Sequence, residues 1–350
     1  MITEGIKYAG SKKKLINEIL EIVKPLYTDN NKIKILDGFC GTTRVAQSLD
    51  RLNYNVTAND VSEWSEVFGN CYLLSTKPDS FYQPMIDEMN SLKGYDGWFT
   101  EYYGGLDEIG KKPFRKHNTQ KLDAIREKIE KYNLEFVDKS VLLTSLILAL
   151  DKVDNTMGHY ASYLKGWSKR SFNTLELKMP CRNINHGNNR VIKGDIFDVL
   201  ANDRFDICYF DPPYGTNNEK MPSSRIRYNS YYHIWKTVIL NDRPQVFGKA
   251  NRREDTHDKG NISVFEDKNL AKSAIEKLIK LAESEYILFS YNNSGYIEKE
   301  EMLEIISKYR KIKLLKEIPY SKNAMAYSLT TKEWINKKDQ KHEEYLILCQ

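Results

Sequence analysis

An apolar run halted by two consecutive prolines constrains this chain more than any other feature: Phe205-Asp-Ile-Cys-Tyr-Phe210 leads directly into Asp211-Pro212-Pro213-Tyr214. A run apolar almost throughout suits a parallel strand buried on both faces. Neither proline can donate to a ladder, so the strand must stop there. The chain then presents a carboxylate, a backbone carbonyl and an aromatic face at the carboxyl end of a sheet, where open α/β sheets bind ligands. Those groups suit a flat base with an exocyclic amine: the oxygens accept from the NH₂ and the ring stacks. Asp-Pro is also common in surface turns, so the tetrapeptide alone does not separate the two readings.

Other strand-like runs recur, with helical patterns between them. Lys32–Leu36 leads into Asp37-Gly-Phe-Cys-Gly41, Asn55–Ala58 into Asn59-Asp60, and Arg190–Lys193 into Gly194-Asp195. Further runs are Glu285–Phe289, Lys311–Leu315 and Glu344–Leu348, the last two expected to pair at one edge. Strands alternating with helices predict a doubly wound, Rossmann-like α/β sheet. From Asp60 to Arg190 the pattern is instead mainly helical, as in 119–132 and 138–151, which predicts an inserted second domain. Its boundaries are placed at 63–185, with 1–62 and 186–350 forming the sheet domain. A second insertion, 215–268, is polar and too long for an ordinary connection; such loops are usually functional or disordered.

The 350 residues are enough for one large or two ordinary domains, and 53 basic against 48 acidic residues give a net charge of +5. That balance is compatible with a nucleic-acid partner and does not require one. The five cysteines (40, 71, 181, 208 and 349) show no paired spacing, which argues for reduced thiols and against zinc or a disulfide framework. The N-terminus lacks a signal-like apolar stretch, and Val141–Leu150 is too short to span a bilayer. These features predict a cytoplasmic protein with no membrane partner.

Asp37-Gly-Phe-Cys-Gly41-Thr-Thr follows a strand and precedes a helical pattern, so its glycines can let backbone approach a ligand. It lacks the third glycine of the dinucleotide fingerprint, which disfavours a nicotinamide cofactor. Asp60 can accept from two ribose hydroxyls or cap the next helix. Asp195 can likewise cap a helix or accept from an adenine amino group.

Taken together, Lys7-Tyr-Ala-Gly-Ser-Lys12, the glycine loop, the helical region, Gly194-Asp195 and Asp211-Pro-Pro-Tyr214 appear in an order that resembles the Dam-like, D12 class adenine-N6 DNA methyltransferases. Ser290–Gly295 resembles a later segment of that family, and 155–160 with Phe172-Asn173 its recognition region. Tyr8 and Ser11 stand where the family more often has Trp and Gly, and the 38–41 loop departs from its closely spaced glycines. The resemblance implies S-adenosylmethionine as methyl donor, with Tyr8, Ala9, Gly10, Lys12, Asp37, Phe39, Gly41, Asp60, Asp195 and Asp211 around it. It implies double-stranded DNA as substrate, no metal, and a separately encoded restriction endonuclease as a possible partner. Asp211, Pro212, Pro213 and Tyr214 would be catalytic: Asp211 and the Pro212 carbonyl accept the N6 hydrogens, and Tyr214 stacks on the flipped base.

Residues 163–193 hold seven basic side chains against Glu176 alone, with Trp167 among them. Lys165, Lys169 and Arg170 are the expected phosphate and base contacts there, with Arg225 and Arg227 in the second insertion. A charge run of this kind is also often a solvated face. An RNA adenine, protein-glutamine or N4-cytosine methyltransferase, or an inactive DNA-binding relative, are the alternative readings.

Overall fold

The computed structural model describes residues 2–106, 112–215, 228–258, 263–320 and 342–350. Seven strands form the central sheet: β1 (Lys34–Asp37), β2 (Asn55–Asp60), β3 (Arg190–Lys193), β4 (Ile207–Phe210), β5 (Tyr286–Asn292), β6 (Ile312–Tyr320) and β7 (His342–Cys349). Their spatial order is β3-β2-β1-β4-β5-β7-β6. The pairs from β3 to β5 are parallel, whereas β7 runs antiparallel to both neighbours. The expected pairing of the last two runs is present, with the final strand inserted between β5 and β6. The switch point lies between β1 and β4, which places the ends of both strands where such sheets bind ligands.

Alternation along the strands sorts the core into two layers. Leu36, Cys208, Phe210, Ile287, Phe289 and Ile347 face helices Ile196–Asn202, Ala271–Leu281 and Lys299–Ser307. Ile35, Ile207, Tyr209, Leu288, Leu346 and Leu348 face helices Ile16–Val23 and Arg44–Asp50. Both faces are covered, which is why β4 reads as an unbroken apolar run.

A third apolar cluster joins helix Glu63–Gly69 to helices Asp79–Ser91, Lys116–Lys131 and Phe136–Val153. The inserted helices therefore have a core of their own. Tyr232, Ile234, Trp235, Val238 and Ile239 pack into the same cluster. Tyr232 is the N-cap of helix His233–Leu240 and the other four lie in it, inside the stretch the sequence presented as a polar insertion. Arg126, only 1% exposed, donates to the Val238 and Ile239 carbonyls at 2.6 and 2.9 Å and so satisfies acceptors at that helix's end.

Candidate active site

The tetrapeptide follows β4 directly, as its prolines require, and Asp211 stands at the carboxyl edge of the sheet beside the end of β1. Its side chain is 16% exposed, open to a ligand yet largely out of water. Lys12 Nζ lies 2.9 Å from Asp211 Oδ1 and 3.4 Å from the Tyr214 hydroxyl oxygen. Burial pushes the Asp211 carboxyl up to about 7; Lys12 pulls it down and Glu344 pushes it up. Burial alone would lower the Lys12 pKa, but Asp211 and Glu344 outweigh it and hold the ammonium well above its ordinary value. Tyr214 packs against Tyr291 with ring centroids 5.1 Å apart.

The segment around Lys12 is folded over the site by aromatic contacts. Gly10 turns the chain at φ +78°, and Lys12–Lys14 form a single 3₁₀ turn. Tyr8 stacks on Tyr232, and the Ala9 N–H donates to the Tyr232 hydroxyl at 2.7 Å. The Tyr228 hydroxyl donates to the Ala9 carbonyl at 3.2 Å. Gly41 sits at φ +48°, where a Cβ would meet the Tyr8 ring at 3.1 Å; glycine there lets ring and loop touch.

Two acids close the neighbouring strands. Asp37, 1% exposed, accepts from the Ala46 N–H at 3.0 Å through Oδ2, and Oδ1 has no partner among the described residues. Burial, then the charge of Asp211, pushes its carboxyl up to about 8. Asp60 accepts from the Gly41 N–H at 2.9 Å and from the Ser62 N–H and hydroxyl at 3.0 and 2.8 Å. It ties the glycine loop to the start of helix Glu63–Gly69. Burial raises its pKa, and these hydrogen bonds pull it back.

The other expected contacts are placed differently. Phe39 packs edge-on against Phe210 and Phe265. Asp195 is exposed and caps helix Ile196–Asn202, accepting from the Phe197 N–H at 2.8 Å. Lys165 and Lys169 are exposed. Arg170 turns inward instead: Nε donates to Asp154 Oδ1 at 2.7 Å, and Nη2 to the Thr156 carbonyl. Arg182 pairs with Asp79, Arg190 with Asp203 and Lys193 with Glu66, so much of the basic run is engaged within the protein. Arg225 and Arg227 lie outside the described residues.

Glu344, which sequence reasoning passed over, is 3% exposed and lies 2.6 Å from Lys12 Nζ. A signal existed: period-2 alternation puts it on the face of Leu346 and Leu348, so a carboxylate stands on an otherwise apolar, buried face. The edge of the sheet thus gathers four carboxylates, Asp211 and Glu344 on the buried Lys12 ammonium and Asp37 and Asp60 at the ends of the neighbouring strands. This acidic excess and the orphaned Asp37 Oδ1 suit a cationic ligand carrying hydrogen-bond donors. S-adenosylmethionine, with its sulfonium, ammonium and ribose hydroxyls, fits those requirements.

Sheet order, acidic strand ends and the proline-halted β4 define the class: an α/β fold of the Rossmann-like methyltransferase type. Residues 8–305 match the family described as D12 class N6 adenine-specific DNA methyltransferase, and the chain belongs to that family. Among curated proteins it is 30% identical to modification methylase StsI of Streptococcus sanguinis, over 91% of this chain and 48% of that one. It is 27% identical to Type II methyltransferase M.NlaIII of Neisseria lactamica, over 89% of this chain and 90% of that one. With Type II methyltransferase M2.HphI of Haemophilus parahaemolyticus the identity is 27%, over 99% and 97%. The chain thus spans about half the length of StsI and nearly all of the other two.

Proposed function

We propose that this chain transfers a methyl group from S-adenosylmethionine to N6 of an adenine flipped out of a short, specific double-stranded DNA sequence, as the modification enzyme of a restriction system. The observation that carries this reading is Asp211, largely buried and fixed by Lys12 beside Tyr214 at the switch-point edge of the sheet. The family match specifies adenine N6 and DNA, and the names of the relatives supply the restriction context. A cognate endonuclease would be a separate protein.

The cofactor, when bound, supplies a methyl already activated on a sulfonium, so the protein's task lies with the acceptor nitrogen. The N6 lone pair of adenine is delocalised into its ring. Asp211 and the Pro212 carbonyl accept the two N6 hydrogens and draw the nitrogen toward tetrahedral geometry, which frees the lone pair for in-line transfer. Asp211 therefore orients by accepting and is not a strong base: as the N–C bond forms the S–C bond breaks with its pair left on sulfur, and the methylated, cationic N6, now acidic, gives up one proton through Asp211 to water. Flipping the base costs a few kcal/mol, by the measure of other base-flipping enzymes. Stacking on Tyr214 returns about 1–3 kcal/mol. Holding donor and acceptor in line supplies much of the remaining acceleration.

Residues 63–185 serve as the target-recognition domain, and 1–62 with 186–350 as the catalytic domain. Support comes from the segment after helix Phe136–Val153, which is anchored beside the site. Lys7 donates to Asp154 at 2.7 Å, and the Tyr160 N–H donates to the Tyr231 carbonyl at 2.7 Å. Lys165 and Lys169 on that segment are exposed. Phe172, 58% exposed, is held under the Arg115 guanidinium at 4.0 Å, giving an aromatic and basic face suited to duplex DNA.

Single-molecule sequencing of plasmid DNA from a methylation-free host expressing the chain tests the reading. Modified adenines within one short sequence are expected. Methylated cytosine would overturn the choice of base, and unmodified DNA from cells holding soluble, cofactor-binding protein would overturn the DNA substrate.

A further inference from the structure

We propose that Glu344 is a positioning residue for Asp211, acting through Lys12; the proposal rests on the adenine-methylation reading above. Glu344 lies beyond residues 8–305, which carry the family match, so its assignment comes from geometry alone. Because β7 runs against its neighbours, its first residues lie at the carboxyl ends of the parallel strands. The register sets Glu344 opposite Asn292 of β5 and Ile318 of β6. There Oε1 lies 2.6 Å from Lys12 Nζ and accepts from the Ser290 hydroxyl at 3.1 Å.

A buried carboxylate on an interior strand is costly unless paired, and Lys12, 6% exposed, is its counter-ion. An ammonium has three hydrogens, and the three groups around Nζ are Asp211 Oδ1, Glu344 Oε1 and the Tyr214 hydroxyl. Lys12 is thereby held to one side of Asp211. The contact with Lys12 is through Oδ1, and Oδ2 is the oxygen that would accept the hydrogen on N6. A lysine released from Glu344 is drawn wholly to Asp211 and competes with the base for that oxygen.

Charge acts in the same direction. The groups facing Asp211 are Lys12, Glu344 from β7, Asp37 from β1, and the phenols of Tyr209, Tyr214 and Tyr228. Glu344 opposes ionisation of Asp211, and Lys12 favours it. Removing the negative charge at 344 therefore lowers the Asp211 pKa and tightens its grip on Lys12.

The test compares wild type, Glu344→Gln and Glu344→Asp in two ways. Steady-state kinetics on duplex DNA across pH give kcat, KM and the acid limb; ¹³C-carboxylate NMR follows Asp211, its signal assigned by loss in Asp211→Asn. For Glu344→Gln we expect kcat to fall on the order of 10²-fold, as for a misplaced reacting group, with KM little changed. The acid limb and the Asp211 titration should both move to lower pH, and Glu344→Asp, which keeps the charge, should restore much of each. A Glu344→Gln enzyme with wild-type kcat, or one that merely melts earlier while Asp211 titrates as before, overturns the proposal. If the wild-type protein methylates no adenine, the functional reading fails, and the NMR titration still decides whether Glu344 governs Asp211.

Discussion

Tyr8 and Tyr232 lie face to face, ring centroids 4.5 Å apart and planes 21° from parallel, so the segment that carries Lys12 is clamped by residues beyond the Asp-Pro-Pro-Tyr tetrapeptide. The Tyr232 hydroxyl also accepts from the Ala9 N–H. Tyr232→Phe should keep the stack, lose that hydrogen bond, and cost about 0.5–1.5 kcal/mol. Tyr232→Ala, which empties a fully buried site, should cost about 3–5 kcal/mol. Urea denaturation gives the stabilities, and calorimetry with S-adenosylmethionine should show weaker binding for both variants. Unchanged binding in Tyr232→Ala would dissociate the clamp from the cofactor site.

Asp211→Ala should abolish methyl transfer with little loss of stability. Lys12 keeps Glu344 as its counter-ion in that variant, so no buried cation is stranded. Near-normal turnover of tritiated methyl groups would refute the catalytic assignment.

Lys12→Met should act on both stability and pH dependence. It leaves Asp211 and Glu344 as neighbouring carboxylates without a cation, a change that costs about 3–5 kcal/mol when a buried pair is broken. On the proposed mechanism the carboxylate must be ionised to accept from N6, so activity should rise with pH through the Asp211 pKa, about 7. Without the ammonium that pKa climbs and the acid limb of kcat/KM moves to higher pH. A limb that stays in place would show that Asp211 does not set it.

Binding of S-adenosylmethionine should release protons near neutral pH. Burial holds Asp37 up at about 8 and Asp211 at about 7, and an arriving cation lowers both. Protons leave as it binds, so affinity should rise between pH 6 and 8, the window set by those two groups. Calorimetry in buffers of differing ionisation heat measures the release directly. Proton uptake would contradict it.

Lys169 and Arg170, adjacent in sequence, should separate on substitution. Lys169→Ala should weaken binding to all DNA sequences alike and lower the salt slope by about one unit. Arg170→Ala should instead lower Tm, since its guanidinium serves the fully buried Asp154. A stable Arg170→Ala protein with a reduced salt slope would place that arginine on the DNA.

Features written locally were legible. The halted strand β4, the acidic strand ends and the two long helices of the insertion follow from side-chain alternation, from proline and from helical period. The observed helices, Lys116–Lys131 and Phe136–Val153, start and end within three residues of the sequence reading. What escaped depends on contacts distant in the chain. Helix His233–Leu240 was hidden in a polar stretch because its apolar face is buried against the other insertion. The basic run lost Arg182, Arg190 and Lys193 to Asp79, Asp203 and Glu66, partners that no charge count supplies. Asp195 had two readings, and the hydrogen bond to the Phe197 N–H supports the capping one.

The placement of β7 also sets the order in which the sheet can assemble on the ribosome. Among the described residues β6 pairs into the sheet through β7 alone, so neither can dock until synthesis has passed residue 349. A nascent chain can assemble five parallel strands and the helical core while Lys12 still lacks one of its two carboxylates. The docking of β7 thus joins two events: the last strands enter the sheet, and Lys12 gains its second carboxylate.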